Sequence, residues 1–286
     1  MYTAVQYYSD YPEEKTVIGN SVFKYRYFKN PKSEKTLVLL TGGIGFSDLF
    51  YMHFNRFAKD FSVITFDYPI EYPTIGSLAD AVSELLKSLG IKAWLVGQSL
   101  GGVVAQVIAY KHPEIVEGLV LSNTACLSGE MSTEARKFLM KMLKTEERLK
   151  PIVRIMPFGI YKKMCTGVLR KMAGKNLNGE ERLIIDEMCR LTDRLMNRPY
   201  EYHMIDFLCD SINYQEMTKN DFMKWEGKIM LILSEDDDTF SNAVKDSLIA
   251  QMPNPTVVSD LGGGHLTMII HPDEYIGTVT EFIKNN

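Results

Sequence analysis

Short apolar runs alternate along most of this chain with stretches whose apolar residues recur at helical spacing. Residues 35–40 and 62–67 are compact runs of strand length, separated by a helical pattern over 49–60. Upstream, 17–28 reads as one or two antiparallel strands forming an edge. After a Pro-rich loop at 68–73, Leu78, Val82, Leu85, Leu86 and Leu89 mark a helix that Gly90 caps. A buried strand over 93–96 then leads into a helix carrying Val103, Val104, Val107 and Ile108, which His112-Pro113 ends. Strands at 118–121, 228–233 and 256–258, with helices at 243–252 and 273–284, complete the rhythm. Such alternation predicts an α/β protein built on a mostly parallel, doubly wound sheet.

One interval breaks the pattern. Residues 127–225 contain helical segments only, interrupted near Pro151, Pro157-Phe158-Gly159, Gly174 and Pro199. The expected organisation is therefore a core domain formed by 1–126 and 226–286, with a helical cap, or lid, inserted at 127–225. The insertion holds 11 of the 16 methionines. Met is unbranched and adaptable, so it suits either gap-filling between small helices or the lining of a pocket for an irregular apolar ligand.

At the junction of strand 93–96 and its helix stands Gly97-Gln98-Ser99-Leu100-Gly101. Chance would supply a Gly-x-Ser-x-Gly in roughly one chain in ten of this length, so the strand and helix around it carry the signal. A sharp strand-to-helix turn strains its central residue, and the chain passes closely enough only where Gly97 and Gly101 lack side chains. Ser99 is thus a candidate nucleophile. A serine needs a base and an acid that orients the base. Later strands deliver both in order: strand 228–233 is followed by Ser234-Glu235-Asp236-Asp237-Asp238, and the next by Gly262-Gly263-Gly264-His265. Loops at the carboxyl ends of parallel strands are where such sheets collect catalytic groups.

These residues resemble the α/β-hydrolase superfamily over essentially the whole length of the chain. The resemblance implies a triad of Ser99, His265 and an acid standing three residues after a strand-closing glycine. Ser234 replaces that glycine here, which points to Asp237, with Asp236 and Asp238 as neighbouring competitors. Two backbone N–H groups would form the oxyanion hole, one from Leu100 directly after the nucleophile. The other would come from the loop Thr41-Gly42-Gly43-Ile44-Gly45, where by position the donor is Gly43. Many relatives begin that loop with His-Gly; Thr41 departs from it, so the loop's anchoring differs. Asp67-Tyr68-Pro69 lacks the Arg and Gly of the family's turn at that point and must also be held differently. A phosphate-cradling role for the glycine loop lacks both the Gly-Lys-Ser/Thr ending and dinucleotide spacing. His53, His203, His112 and His271 read as structural or surface residues, and 141–150 as a solvated helix face. Asn123 cannot act as a carboxylate, which favours the later acid loop.

Composition narrows the picture further. With 286 residues, 45% hydrophobic, the chain can bury one large core with a subdomain. Its net charge of −4 provides no basic field for nucleic acid. No apolar run approaches membrane-spanning length and no secretory leader pattern occupies 1–15, so a cytoplasmic location is expected. Cys126, Cys165, Cys189 and Cys209 have neither paired nor metal-type spacing and read as small buried hydrophobes. The expected partner is a small, partly apolar molecule, with no cofactor and no metal. The leading expectation is a serine carboxylesterase acting through an acyl-enzyme. One alternative uses the same residues to cleave a carbon-carbon bond in a diketone-like substrate. Another, suggested by a weaker likeness of 66–72, the elbow and 119–123 to maspardin-type members, is a binding or receptor protein.

Overall fold

The computed structural model describes residues 2–174 and 177–286. Helix α1 (Ala4–Asp10) precedes an antiparallel pair, β1 (Glu14–Ile18) and β2 (Ser21–Phe28), followed by β3 (Thr36–Leu40). A 3-10 turn over Ser47–Phe50 leads into α2 (Tyr51–Phe57), then β4 (Ser62–Thr65) and α3 (Ile75–Leu89). The motif-bearing unit is β5 (Ala93–Gln98) with α4 (Leu100–Lys111), and β6 (Val116–Ser122) follows. Five helices come next: α5 (Thr133–Glu147), α6 (Leu149–Ile155), α7 (Phe158–Met172), α8 (Gly179–Leu195) and α9 (Arg198–Cys209). The chain re-enters the sheet as β7 (Ile229–Ile232), passes through α10 (Asn242–Gln251) to β8 (Thr256–Val258), and ends with α11 (Thr267–Ile270) and α12 (Pro272–Asn285).

The eight strands lie in the order β1-β2-β4-β3-β5-β6-β7-β8. Only β1–β2 and β2–β4 are antiparallel; every later pair is parallel. All residues of β3, β4, β5 and β7 are buried, which requires helices on both faces of the sheet. The predicted doubly wound α/β sheet is therefore present. Helix α3 shows how local signals set its limits. The Thr74 hydroxyl accepts from Ser77 N–H in a capping box at its start, Gly90 in left-handed conformation ends it, and Leu78, Val82, Leu85 and Leu86 form its buried stripe.

The structure adds to the sequence pattern in several places. Helix α1 was not anticipated: it is short and carries Tyr7 and Tyr8, so no helical stripe stands out. Tyr7 nevertheless inserts fully beside Phe54 of α2. The helical pattern at 49–60 divides into the 3-10 turn and α2. Between β6 and β7 the described residues form no strand, only a bridge between Ser128 and Met217. Two cysteines differ from expectation, because Cys165 and Cys209 are only half-buried. Cys126 is buried, and its thiol donates to Gln251 Oε1 at 2.9 Å while burial pushes its pKa up to about 12.

A Cβ on Gly101 would fall 2.0 Å from the Leu40 carbonyl oxygen, joining α4 to β3 at a distance only glycine permits. Gly101→Ala is expected to destabilise the protein by at least the roughly 1–3 kcal/mol of a typical overpacked core. Gly277→Ala, at an exposed position of α12 with nothing within 4 Å, should instead stabilise it by about 0.5–1 kcal/mol. Denaturant midpoints of the two variants check the contrast.

Candidate active site

The turn between β5 and α4 places Ser99 at φ 53° and ψ −119°, in a region where residues other than glycine are strained. Its backbone is over-determined. Ser99 N–H donates to the Ser122 carbonyl of β6 at 2.9 Å, and the Ser99 carbonyl accepts from Gly102 N–H at 3.0 Å and from the Thr124 hydroxyl at 2.6 Å. Gly97 and Gly101 are indispensable to the bend, since a Cβ on Gly97 would lie 2.2 Å from the Gly101 carbonyl oxygen.

His265 reaches this turn from the loop between β8 and α11. Three consecutive glycines, 262–264, all adopt positive φ, allowing the chain to double back before the histidine. Its Nε2 lies 2.9 Å from Ser99 Oγ and its Nδ1 2.9 Å from Asp237 Oδ2. The acceptor-only carboxylate requires Nδ1–H as donor, leaving Nε2 to accept from the serine hydroxyl. The His265 carbonyl accepts from Gln98 Nε2 at 3.0 Å, and Phe240 stands edge-on to the imidazole. Asp237 lies beyond β7, its side chain fully buried. Thr239 N–H donates to Asp237 Oδ1 at 2.7 Å, and Lys245 Nζ binds the carbonyls of Ser234 and Asp237. Burial alone would raise this carboxyl's pKa. The hydrogen bond and charge of His265, with the bonds from Thr239, outweigh it and hold the group below its ordinary value.

Of the three consecutive aspartates, the structure brings Asp237 alone to His265; Asp236 and Asp238 make no hydrogen bond or ion pair among the described residues. Leu100 opens α4, where its N–H has no intrahelical acceptor. The Thr41–Gly45 loop lies across from it. A Cβ on Gly42 would meet Gln98 Oε1 at 2.6 Å and Ser99 Cβ at 3.4 Å, whereas Gly43 faces open space. The unusual Thr41 is anchored through its backbone, its carbonyl accepting from the Tyr68 hydroxyl at 2.6 Å. Asp67 is held by the N–H and hydroxyl of Ser47, each at 2.7 Å, in place of the missing Arg-Gly turn.

Other histidines stay apart from this chemistry. His53 is fully buried, its Nε2–H donates to the Met268 carbonyl, and burial drives its pKa down to about 4. His203 Nε2–H donates to the Tyr68 carbonyl, and His112 pairs with Asp80. Asn123, φ 41°, is a tie. Its Nδ2 donates to the Gly264 carbonyl at 2.9 Å and its Oδ1 accepts from Ser234 N–H at 2.9 Å, joining the two loops that carry His265 and Asp237.

Ser99, Leu100, Gly43 and His265 open onto a cavity of about 440 Å³, roofed by α5, α7 and α8 and lined mainly by apolar side chains. Six methionines from residues 127–225 contribute to it: Met131, Met142, Met164, Met172, Met188 and Met196. Met204 and Met217 pack in the core without reaching the cavity, so methionines of this interval both fill the core and line the cavity. The sequence pattern did not single out the cavity's polar groups. Glu201 accepts from the Tyr161 hydroxyl, Glu146 lines the same wall, and no lysine or arginine lines the cavity among the described residues. Burial raises the pKa of both carboxyls, and the charge of Glu201 raises that of Glu146 further. Nor was Tyr200 of α9 anticipated, whose hydroxyl donates to the Gly45 carbonyl at 2.8 Å and so ties the helical segment to the glycine loop.

Residues 77–268 match the family model Hydrolase_4, described as serine aminopeptidase, S33. Over 99 residues the chain is 32% identical to RutD of Serratia proteamaculans (strain 568), a protein assigned as a carbamate hydrolase; the match covers 31% of this chain and 37% of that protein's length. Among solved structures, the enol-lactonase from Burkholderia xenovorans LB400 superposes with a TM-score of 0.72 at 17% identity, covering 95% of this chain and 100% of the other. A hydrolase from Pseudomonas aeruginosa PA01 gives 0.70 at 18% identity over 95% and 98% of the two chains. At these identities the structural likeness concerns the fold.

A group whose folded pKa is depressed adds stability in full above its unfolded value, and that contribution disappears as pH falls through the folded value. Asp237 is such a group. The stability difference between wild type and Asp237→Asn is therefore expected to be constant at neutral pH and to shrink as pH drops below about 4, the unfolded carboxyl range. Unfolding free energies measured across acid pH check this.

Proposed function

The chain belongs to the serine aminopeptidase S33 family of α/β hydrolases, and from that premise we propose a serine hydrolase that works through an acyl-enzyme on a small apolar ester. Supporting this most strongly is the continuous line of hydrogen bonds from Asp237 through His265 to Ser99, each 2.9 Å, at the floor of a largely apolar cavity. In this reading Ser99 Oγ attacks the ester carbonyl while His265 Nε2 takes its proton. Asp237 keeps the imidazole in the required tautomer and balances its positive charge. The N–H groups of Leu100 and Gly43 hold the oxyanion, each contributing about 3–4 kcal/mol of transition-state stabilisation. Collapse of the intermediate expels the alcohol, which leaves with the proton from His265. Water, deprotonated by the same histidine, then releases the acid and restores Ser99.

Residues 127–225 act in this proposal as a cap subdomain over the core formed by 1–126 and 226–286. Its methionines supply an adaptable wall for an aliphatic or aromatic group. Glu146 and Glu201, with no lysine or arginine beside them in the cavity among the described residues, disfavour a substrate whose far end is anionic. The carbon-carbon cleavage alternative would use the same three residues, and substrate preference separates the two.

Labelling with a fluorophosphonate and turnover of aryl esters of graded chain length test the proposal together. Wild type is expected to label at Ser99, to hydrolyse neutral medium-chain esters, and to discriminate against a matched ester ending in a carboxylate. Ser99→Ala should abolish labelling, and Asp237→Asn should lower kcat about 10⁴-fold by admitting the wrong tautomer. Equal labelling of wild type and Ser99→Ala would refute the assignment. Ser99-dependent labelling without turnover of any ester would move the substrate to the carbon-carbon class.

A further inference from the structure

Residues 148–174 carry seven cations, Arg148, Lys150, Arg154, Lys162, Lys163, Arg170 and Lys171, and no acid, in a chain whose net charge is −4. This segment comprises α6 and α7 with the residues that flank them. On α7, Ile160, Lys163, Met164, Gly167, Val168 and Lys171 stand at positions i, i+3, i+4, i+7, i+8 and i+11, so they share one helix face, and every one of them is exposed. Ile160, Met164 and Val168 are each about half exposed, and Ile155, at the end of α6, is 82% exposed. Four exposed apolar side chains on consecutive helices are more than the isolated surface hydrophobes of an ordinary soluble face. Among the described residues Arg148, Arg154, Lys163 and Lys171 make no ion pair, although Lys150 and Arg170 are paired with Asp206 and Asp186.

Two of the apolar residues have a second role. Met164 and Val168 also line the cavity that contains Ser99. Side chains that meet both solvent and cavity stand at its rim, so the cationic, apolar face borders an opening into the apolar interior.

We propose that the exposed face of α7, with the end of α6, docks on an anionic lipid surface from which an apolar ester passes into the cavity. Apolar side chains flanked by lysines on one helix face are the pattern of a helix lying in a membrane interface, its aliphatic groups among the acyl chains and its cations at the headgroups. The apolar residues and the cavity rim favour lipid over an acidic polypeptide or RNA, for which cations alone would serve. The inference rests on the proposed apolar-substrate reading for its purpose, but lipid binding is measurable without catalysis.

The test is co-sedimentation of the Ser99→Ala chain with vesicles, which removes hydrolysis from the readout. Binding is expected to equimolar phosphatidylglycerol and phosphatidylcholine but not to phosphatidylcholine alone. It should weaken as salt rises from about 0.01 M to about 1 M, where the screening length falls from about 30 Å to about 3 Å. Lys163→Gln with Lys171→Gln should lower partitioning about twenty-five-fold, at about five-fold per cation. Ile155→Asn with Ile160→Asn should lower it as well, whereas Lys32→Gln with Lys92→Gln, remote from α7, should leave it unchanged. Absence of binding to anionic vesicles, equal binding to neutral ones, or equal losses in the α7 and remote lysine variants would overturn the proposal. So would binding to polyglutamate or RNA without binding to vesicles.

Discussion

The close passage of three backbone segments at Ser99 is the constraint on which the site depends. Strand β5, helix α4 and strand β3 meet where a Cβ on Gly97 would lie 2.2 Å from the Gly101 carbonyl and one on Gly101 would lie 2.0 Å from the Leu40 carbonyl. Only this approach allows β5 to end and α4 to begin at a single residue. The resulting conformation costs of order 1–3 kcal/mol. It persists because Ser99 is clamped by hydrogen bonds to Ser122, Gly102 and Thr124, and because β5 and most of α4 are buried. The hydroxyl is thereby aimed into the cavity while Leu100 N–H, the first donor of α4, stands next to it.

From that fixed point the remaining groups are set by buried, satisfied polar ties. Gln98 holds the His265 carbonyl, Asn123 bridges the loops of Asp237 and His265, and Lys245 closes the acid turn from below. In a low-dielectric setting such bonds are strong when complete and costly when broken. The chain thus presents the histidine in one tautomer, bonded through Nδ1, Nε2 and its carbonyl. Hydrogen bonds between Tyr200 and Gly45, and between His203 and the Tyr68 carbonyl, extend the ties to α9, so the helical insertion and the glycine loop are mechanically linked.

Features governed by local chemistry were legible in the sequence. The strand-to-helix turn followed from two glycines at a fixed spacing, α3 from its threonine cap, apolar stripe and terminal glycine, and the β7–α10–β8 unit from alternation of period. Asp237 was implied by the family resemblance, with Asp236 and Asp238 as competitors, and the structure puts its carboxylate at His265 rather than those of its neighbours. Features governed by long-range contact were not legible. Helix α1 owes its place to the burial of Tyr7 against Phe54, 47 residues away. The anchoring of Thr41 by Tyr68, the tie made by Asn123 and the Glu146–Glu201–Tyr161 wall all join residues distant in sequence, where no periodicity records the contact. The Met-rich interval announced adaptable packing but not which methionines face the cavity.

In the proposed reading, geometry at Ser99 accounts for the chemistry and residues 127–225 shape what can reach it. The central claim is that Ser99 becomes covalently acylated and deacylates through His265 and Asp237. Stopped-flow release of the phenol from an activated medium-chain aryl ester measures this directly. The account predicts a rapid burst of one equivalent per protein molecule before steady turnover, and its absence in Ser99→Ala. A burst of unchanged amplitude in Ser99→Ala would contradict it.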